Sequence, residues 1–138
     1  MVSLARTIRN IRRTGVKYWF RQMLYLCDAK SGDFVGKDRF GNKYFQNYNP
    51  EEEIPGRHRW VDYAQHNYHV SQIPPEWHSW INHIRKDPPT IDPIMKESTP
   101  TWLLPHRENM TGTRGAYKPY STTGAKLNAW EPKVAQRG

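Results

Sequence analysis

The chain has 138 residues, of which 36% are hydrophobic and 25% charged, with a net charge of +8. That length holds one domain with tails and excludes a multidomain enzyme, and the mean hydropathy of -0.94 is low for a self-sufficient globule. The single cysteine, Cys27, excludes an internal disulfide framework, and its apolar surroundings predict a small buried hydrophobe rather than a reactive thiol.

The first region, residues 1–30, is a basic helical arm. Residues 1–27 hold Arg6, Arg9, Arg12, Arg13, Lys17 and Arg21 and no acid. Ser3 suits an N-cap, and Leu4, Ile8 and Ile11 recur at helical spacing. Arg6, Arg9 and Arg13 fall on the other side, with Arg12 at the flank. Gly15 costs about 1 kcal/mol relative to alanine inside a helix, which predicts a bend or break. Beyond it Val16, Tyr18, Trp19, Phe20, Met23, Leu24, Tyr25 and Leu26 are apolar nearly all round, so this stretch needs cover on several sides. Lys17, Arg21 and Gln22 interrupt it, whereas a membrane span needs roughly 20 largely apolar residues. Four settings are open for the arm. It is similar in composition to a mitochondrial transit peptide, although a chain intact from Met1 leads us to expect retention. It also suits an anionic membrane surface, a partner subunit with the arginines at the rim, or its own core.

Residues 31–90 predict the compact part. Asp33–Lys37 and Lys43–Gln46 read as strands joined by Asp38–Asn42, whose Gly41 and Asn42 tolerate positive φ. A third strand is predicted over Arg57–Tyr63, after a loop carrying Pro50, Glu51, Glu52, Glu53, Pro55 and Gly56. The glutamate run reads as solvated loop. A helix starts around Pro74–Pro75–Glu76, with proline in its first turn and Glu76 complementing the dipole. Trp77, Trp80, Ile81 and Ile84 then repeat at i, i+3, i+4 and i+7, one apolar stripe to pack against the sheet. Asp87–Pro88–Pro89–Thr90 ends it. Three strands are near the minimum that is stable and need something to pack on.

Residues 91–138 predict an extended, proline-rich strap. Trp102, Tyr117, Tyr120 and Trp130 are spaced singly through polar sequence. A strap that orders on a neighbour, placing one aromatic anchor in each pocket it passes, accounts for that spacing. The fold class expected is therefore α+β with low regular content: an N-terminal amphipathic helix, a small three-stranded antiparallel sheet with a short tryptophan-bearing helix, and a long extended tail.

No catalytic, cofactor or metal site is expected. His66 and His69 lie three apart, but zinc usually takes Cys or His pairs at tight spacing, so loop surface is the simpler reading. There is no glycine-rich phosphate loop, no nucleophile elbow and no evident acid–base carboxylate pair. Basic residues and sheet aromatics suit RNA. However, residues 28–90 carry eight basic against nine acidic side chains, a net of -1, so the aromatic platform lacks the positive funnel that single-strand binders use. No nucleic-acid partner is expected.

Four ordered blocks carry a family resemblance: Gly36-x-Asp38-x-x-Gly41-Asn42-x-Tyr44-Phe45, Arg57-x-Arg59-Trp60-Val61, Ile73-Pro74-Pro75-Glu76-Trp77-His78-x-Trp80 and Asp87-Pro88-Pro89-Thr90. Colinear over about residues 15–90, they resemble the seventeen-kilodalton accessory-subunit family of mitochondrial NADH:ubiquinone oxidoreductase, respiratory complex I. The resemblance implies a non-catalytic, cofactor-free subunit, peripheral on the matrix side of the inner membrane. It would sit on the matrix arm beside the iron–sulfur core subunits near the quinone site, without forming a homo-oligomer. Anionic inner-membrane lipid is a second expected contact. The family also includes the assembly factor mimitin, so permanent subunit and transient assembly factor are both open. An RNA-binding role is the remaining alternative. The anchors expected to carry attachment are Arg6, Arg9, Arg12, Arg13, Trp19 and Phe20 in the arm, Trp60, Trp77 and Trp80 in the middle, and Trp102, Tyr117, Tyr120 and Trp130 in the strap.

Overall fold

Gly15, at φ +86°, breaks the N-terminal segment into two helices, α1 (Leu4–Thr14) and α2 (Val16–Leu26). The structure is a computed structural model that describes residues 3–136 and Gly138; Met1, Val2, Arg137 and the side chain of Lys96 lie outside it. After α2 come β1 (Asp33–Lys37), β2 (Lys43–Gln46) and β3 (Arg59–Asp62), a 3-10 turn at Val70–Gln72, α3 (Pro75–Ile81) and α4 (Pro93–Glu97). The sheet is antiparallel in the order β1-β2-β3.

The connection from β1 to β2 explains the first sequence block. The buried Asp38 carboxylate accepts from the backbone N–H groups of Phe40 (2.9 Å) and Asn42 (3.0 Å), from the Asn42 amide (2.8 Å) and from the Tyr44 hydroxyl (3.0 Å). Gly41 supplies the positive φ, +97°, that closes this loop. Asn42 also donates to the Gln72 carbonyl and accepts from the Ala64 backbone N–H, joining the turn to the segments around it. Burial foremost, then the neighbouring Asp38 carboxylate, raises the pKa of the Tyr44 phenol and keeps it protonated as a donor.

Side chains alternate across the strands, so the sheet has two covered faces. On one, Tyr44, Val61, Ile73, Trp77 and Trp80 form the hydrophobic core beneath α3. Trp77 stacks flat on Tyr44, with centroids 4.0 Å apart, and Trp80 meets both rings edge-on. A Cβ at Gly36 would fall 2.7 Å from the Trp77 ring, which is why glycine stands there. A bulge between Phe34 and Gly36 lets Val35 pack on this core. On the other face Phe34, Phe45 and Trp60 form an aromatic row, with centroid spacings of 5.6 and 5.9 Å, that looks toward α2.

Several local expectations are corrected. The third strand covers only Arg59–Asp62. The apolar stripe stops at Ile81: His83 takes a left-handed φ of +60°, and the Ile84 N–H bonds the Ser79 carbonyl in a Schellman closure that turns Ile84 outward. Cys27 is exposed, because it caps α2 in the left-handed region (φ +54°) on the outside of the turn into residues 28–31. Of the glutamate run only Glu51 is exposed: the Glu52 and Glu53 N–H groups both bond back to the Asn49 carbonyl, in a turn that buries their side chains. Ser3 occupies the N-cap position but makes no side-chain capping bond. Within the proline-rich tail, Asp92 caps the short helix α4 through the Ile94 N–H.

Candidate interaction surface

The face that α1 turns to the rest of the molecule is its polar one. Arg6 bridges Asp28 (3.0 Å) and Glu53 (3.4 Å), while Arg13 (3.0 Å) and Arg9 (3.6 Å) converge on Glu52. Asn10, the buried residue of the helix, donates to the Ala29 carbonyl at 2.7 Å and accepts from Ser31. Beneath them the buried Lys30 ammonium pairs with Glu53 at 2.9 Å and also reaches the Arg57 carbonyl. The Asn47 amide, followed by Arg13 and Arg9, holds the Glu52 carboxyl below the usual carboxylate range against the opposing effect of burial. With three arginines turned inward, Leu4 and Ile8 point to solvent, Leu4 at 79% exposure. Arg12 lies exposed beside them, with no carboxylate within bridging distance among the described residues.

No residue of α2 is buried. Its inner side is held by Arg21, which bonds the Asp62 carboxylate (2.9 Å) and the Tyr63 carbonyl, by Gln22, which bonds the Lys30 backbone twice, and by Tyr25, which meets His66 and Tyr68. Its outer side leaves Val16, Phe20, Met23 and Leu24 exposed.

The strap is tied to the core by Asp92, which pairs with Arg85 at 3.4 Å, and by a clamp further along. His106 Nε2 lies 2.7 Å from the Ser71 carbonyl, the Asn109 N–H donates to Ser71 Oγ (2.9 Å), and Gln72 donates to Glu108 (2.9 Å). From Thr111 onward the described hydrogen bonds are local, and Tyr117, Tyr120, Leu127, Trp130 and Val134 stand bare, Tyr117 at 87% and Trp130 at 84%.

The anchor residues named from sequence thus fall into separate places. Arg6, Arg9 and Arg13 meet acids of their own chain, whereas Arg12 and Phe20 face outward and Trp19 is half-buried on α2. Trp77 and Trp80 share the core, and Trp60 lies on the opposite face of the sheet. Trp102, Tyr117, Tyr120 and Trp130 are exposed along the strap. Sequence reasoning missed the acid cluster of Asp28, Glu52 and Glu53 and the clamp at His106–Asn109. The signal for the first was present: an acid-free arm followed by three consecutive glutamates is a complementary pair. Nothing in the sequence around Ser71 marked the second. Among the described residues no group of three or more His, Cys, Asp or Glu could hold a metal ion, and no helix is long and apolar enough to cross a membrane.

A three-stranded sheet with aromatic side chains on both faces, two N-terminal helices with exposed apolar sides and a long irregular tail define a small α+β fold. The chain belongs to the family of NADH ubiquinone oxidoreductase subunit NDUFA12, whose family model matches residues 32–132. It is similar to the NADH dehydrogenase (ubiquinone) 1 alpha subcomplex subunit N7BM of Yarrowia lipolytica, 37% identical over 137 residues that cover 98% of this chain and 97% of that protein. Alpha subcomplex subunit 12 of Bos taurus is 35% identical over 126 residues, covering 86% of this chain and 83% of the relative. The alpha subcomplex assembly factor 2 of Bos taurus is also similar, 43% identical over 70 residues, but the match covers 45% of this chain and 40% of that protein.

Proposed function

We propose that this chain is a non-catalytic accessory subunit of mitochondrial NADH:ubiquinone oxidoreductase. It attaches to the peripheral arm on the matrix side of the inner membrane, close to the iron–sulfur core subunits that border the quinone site, and stabilises that arm. The observation that carries this reading is the contrast between its parts. Asp38, Asn42, Tyr44, Trp60, Trp77 and Trp80, from the blocks that carry the family resemblance, are buried, while Tyr117, Tyr120, Leu127 and Trp130 lie bare on a tail without regular structure. Bare anchors on such a tail acquire their cover, and repay their ordering entropy, on a larger host. The outward apolar sides of α1 and α2 suit the same host or the lipid beside it. Relatives named as subunits match over 68 to 98% of this chain, and the two assembly factors over 45 and 66%. That difference favours the permanent subunit.

Native pull-down through an affinity tag tests the proposal. Recovery with the complete, active enzyme is expected. Recovery only with a partial complex would make the chain a transient assembly factor. Recovery with RNA, at an affinity that falls steeply with salt, would replace the reading altogether.

A further inference from the structure

We propose that the cleft between α2 and the aromatic face of the sheet binds one anionic phospholipid. An acyl chain lies along Phe34, Phe45 and Trp60, and the phosphate is met by Lys43 and Lys17. The proposal rests on the reading above only for the source of the lipid.

The cleft exists because α2 leans on the sheet without closing onto it. Tyr18, Tyr25 and Leu26 face Phe34, Phe45 and Trp60 across a space of about 380 Å³, which falls in the range that takes a drug-sized apolar ligand, roughly 300–1,000 Å³. A second cleft, of about 630 Å³, adjoins it at Tyr18, Arg21, Tyr25, Lys43 and Asp62 and leads outward to Lys17, Phe20 and Leu24. The residues the two clefts share also bridge α2 to the sheet, Arg21 to Asp62 and Lys43 to Tyr18, so a path from the aromatic row to the outward side of α2 passes over these pairs, with Lys43 on the rim common to both clefts.

The charges along this path select an anion at its mouth. Arg21 and Asp62 hold each other at 2.9 Å, and Lys30 is paired with Glu53, so neither cation is available. Lys43 is different: its ammonium reaches only the Tyr18 hydroxyl, at 3.5 Å, and lies 5.9 Å from that ring's centre. Among the described residues neither Lys43 nor Lys17 has a carboxylate within 4.0 Å. Asp62, opposite Lys43 in the sheet, is held by Arg21, and two ammonium groups without a bridging carboxylate beside an apolar slot are complementary to a phosphate joined to a long hydrocarbon chain. A peptide would offer apolar side chains but not that chain length with a charge at one end. The surroundings agree in kind: residues 1–27 contain no acid, and Leu4, Ile8, Val16, Phe20 and Leu24 are exposed on the same arm, the make-up of an element that lies in a lipid interface.

Native mass spectrometry of the full chain presented with phosphatidylglycerol or phosphatidylcholine in micelles reads the interaction directly. The expected result is a one-lipid adduct at least tenfold more abundant with phosphatidylglycerol, lost in a Lys17→Glu/Lys43→Glu double variant and retained in Lys43→Arg. Equal adducts of both lipids, or an undiminished adduct in the double variant, would overturn the proposal. In a density map of the respiratory assembly, a neighbour's side chain in the slot, or α2 closed onto Trp60, would overturn it too. Lipid selectivity on the purified chain and recovery with the enzyme are separate readouts, so either reading can fail without the other.

Discussion

The guanidinium of Arg59 lies against the Trp80 ring, 4.7 Å from its centre, and among the described residues no carboxylate lies within bridging distance of it. Its donors go to the carbonyls of Trp80, Arg85 (2.8 Å) and Lys86 (2.9 Å) and to the Tyr48 hydroxyl (3.0 Å). One buried side chain thereby gathers the carbonyls left over where α3 ends, which a lysine with its single head group cannot do. Truncation in Arg59→Ala should leave those acceptors orphaned and lower stability by about 3 kcal/mol, with Arg59→Lys losing roughly half of that. Denaturant midpoints of the full chain measure both. A loss under about 1 kcal/mol would mean that water reaches the carbonyls. The same scale explains what the recurrent sequence blocks are for. Asp38, Gly41, Asn42 and Tyr44 build one turn, Gly36 clears room for Trp77, and Arg59 closes α3. These residues hold the turn, the core and the end of α3 together.

At the scale of elements, α1 is an amphipathic helix docked on its own chain by its arginine side. Helical spacing separates Leu4, Ile8 and Ile11 from Arg6, Arg9 and Arg13 correctly, but periodicity cannot say which face looks inward. That choice is made by Glu52 and Glu53, some forty residues away, and by the turn at Asn49 that buries them. The strands and α3 were legible because alternation and proline placement are local signals. The Schellman closure at His83 was not, since a non-glycine residue rarely takes that conformation. The docking should be pH-dependent with a definite sign. The folded-state pKa of Glu52 lies below its ordinary value of 4.5, so its ionised form stabilises the docked helix. That contribution is complete above the ordinary value and is lost as pH falls through it toward the folded-state value. Amide exchange in α1, corrected for intrinsic rates, should therefore accelerate between about pH 5 and pH 3. In Glu52→Gln it should be fast already at neutral pH and lose most of this dependence. Slow, wild-type exchange in that variant would show that the helix is held without the ion pairs.

Considered whole, the described side-chain ties between the tail and the core reach as far as Asn109. Residues 91–110 are tied inward: Asp92 pairs with Arg85 at 3.4 Å, and His106, Glu108 and Asn109 clamp the Ser71–Gln72 turn. The 28 residues beyond Met110 (138 minus 110) make no described hydrogen bond to the core, yet they carry most of the bare aromatic anchors. Two truncations should consequently behave differently. Ending the chain after Met110 should leave the denaturation midpoint of the remainder within about 0.5 kcal/mol of the full chain, while native gels show weakened retention in the respiratory assembly. Ending it after Thr90 should also strip the clamp and the Arg85 partner, taking His106 from the Ser71 carbonyl and leaving the half-buried Arg85 without Asp92. That should cost about 1–3 kcal/mol in addition to the weakened retention. If removing residues 111–138 alone destabilised the isolated chain, the strap would be part of a self-contained fold and its aromatics would have found cover at home. If retention survived that removal intact, attachment would fall to the outward faces of α1 and α2, and the strap's rings would need another purpose.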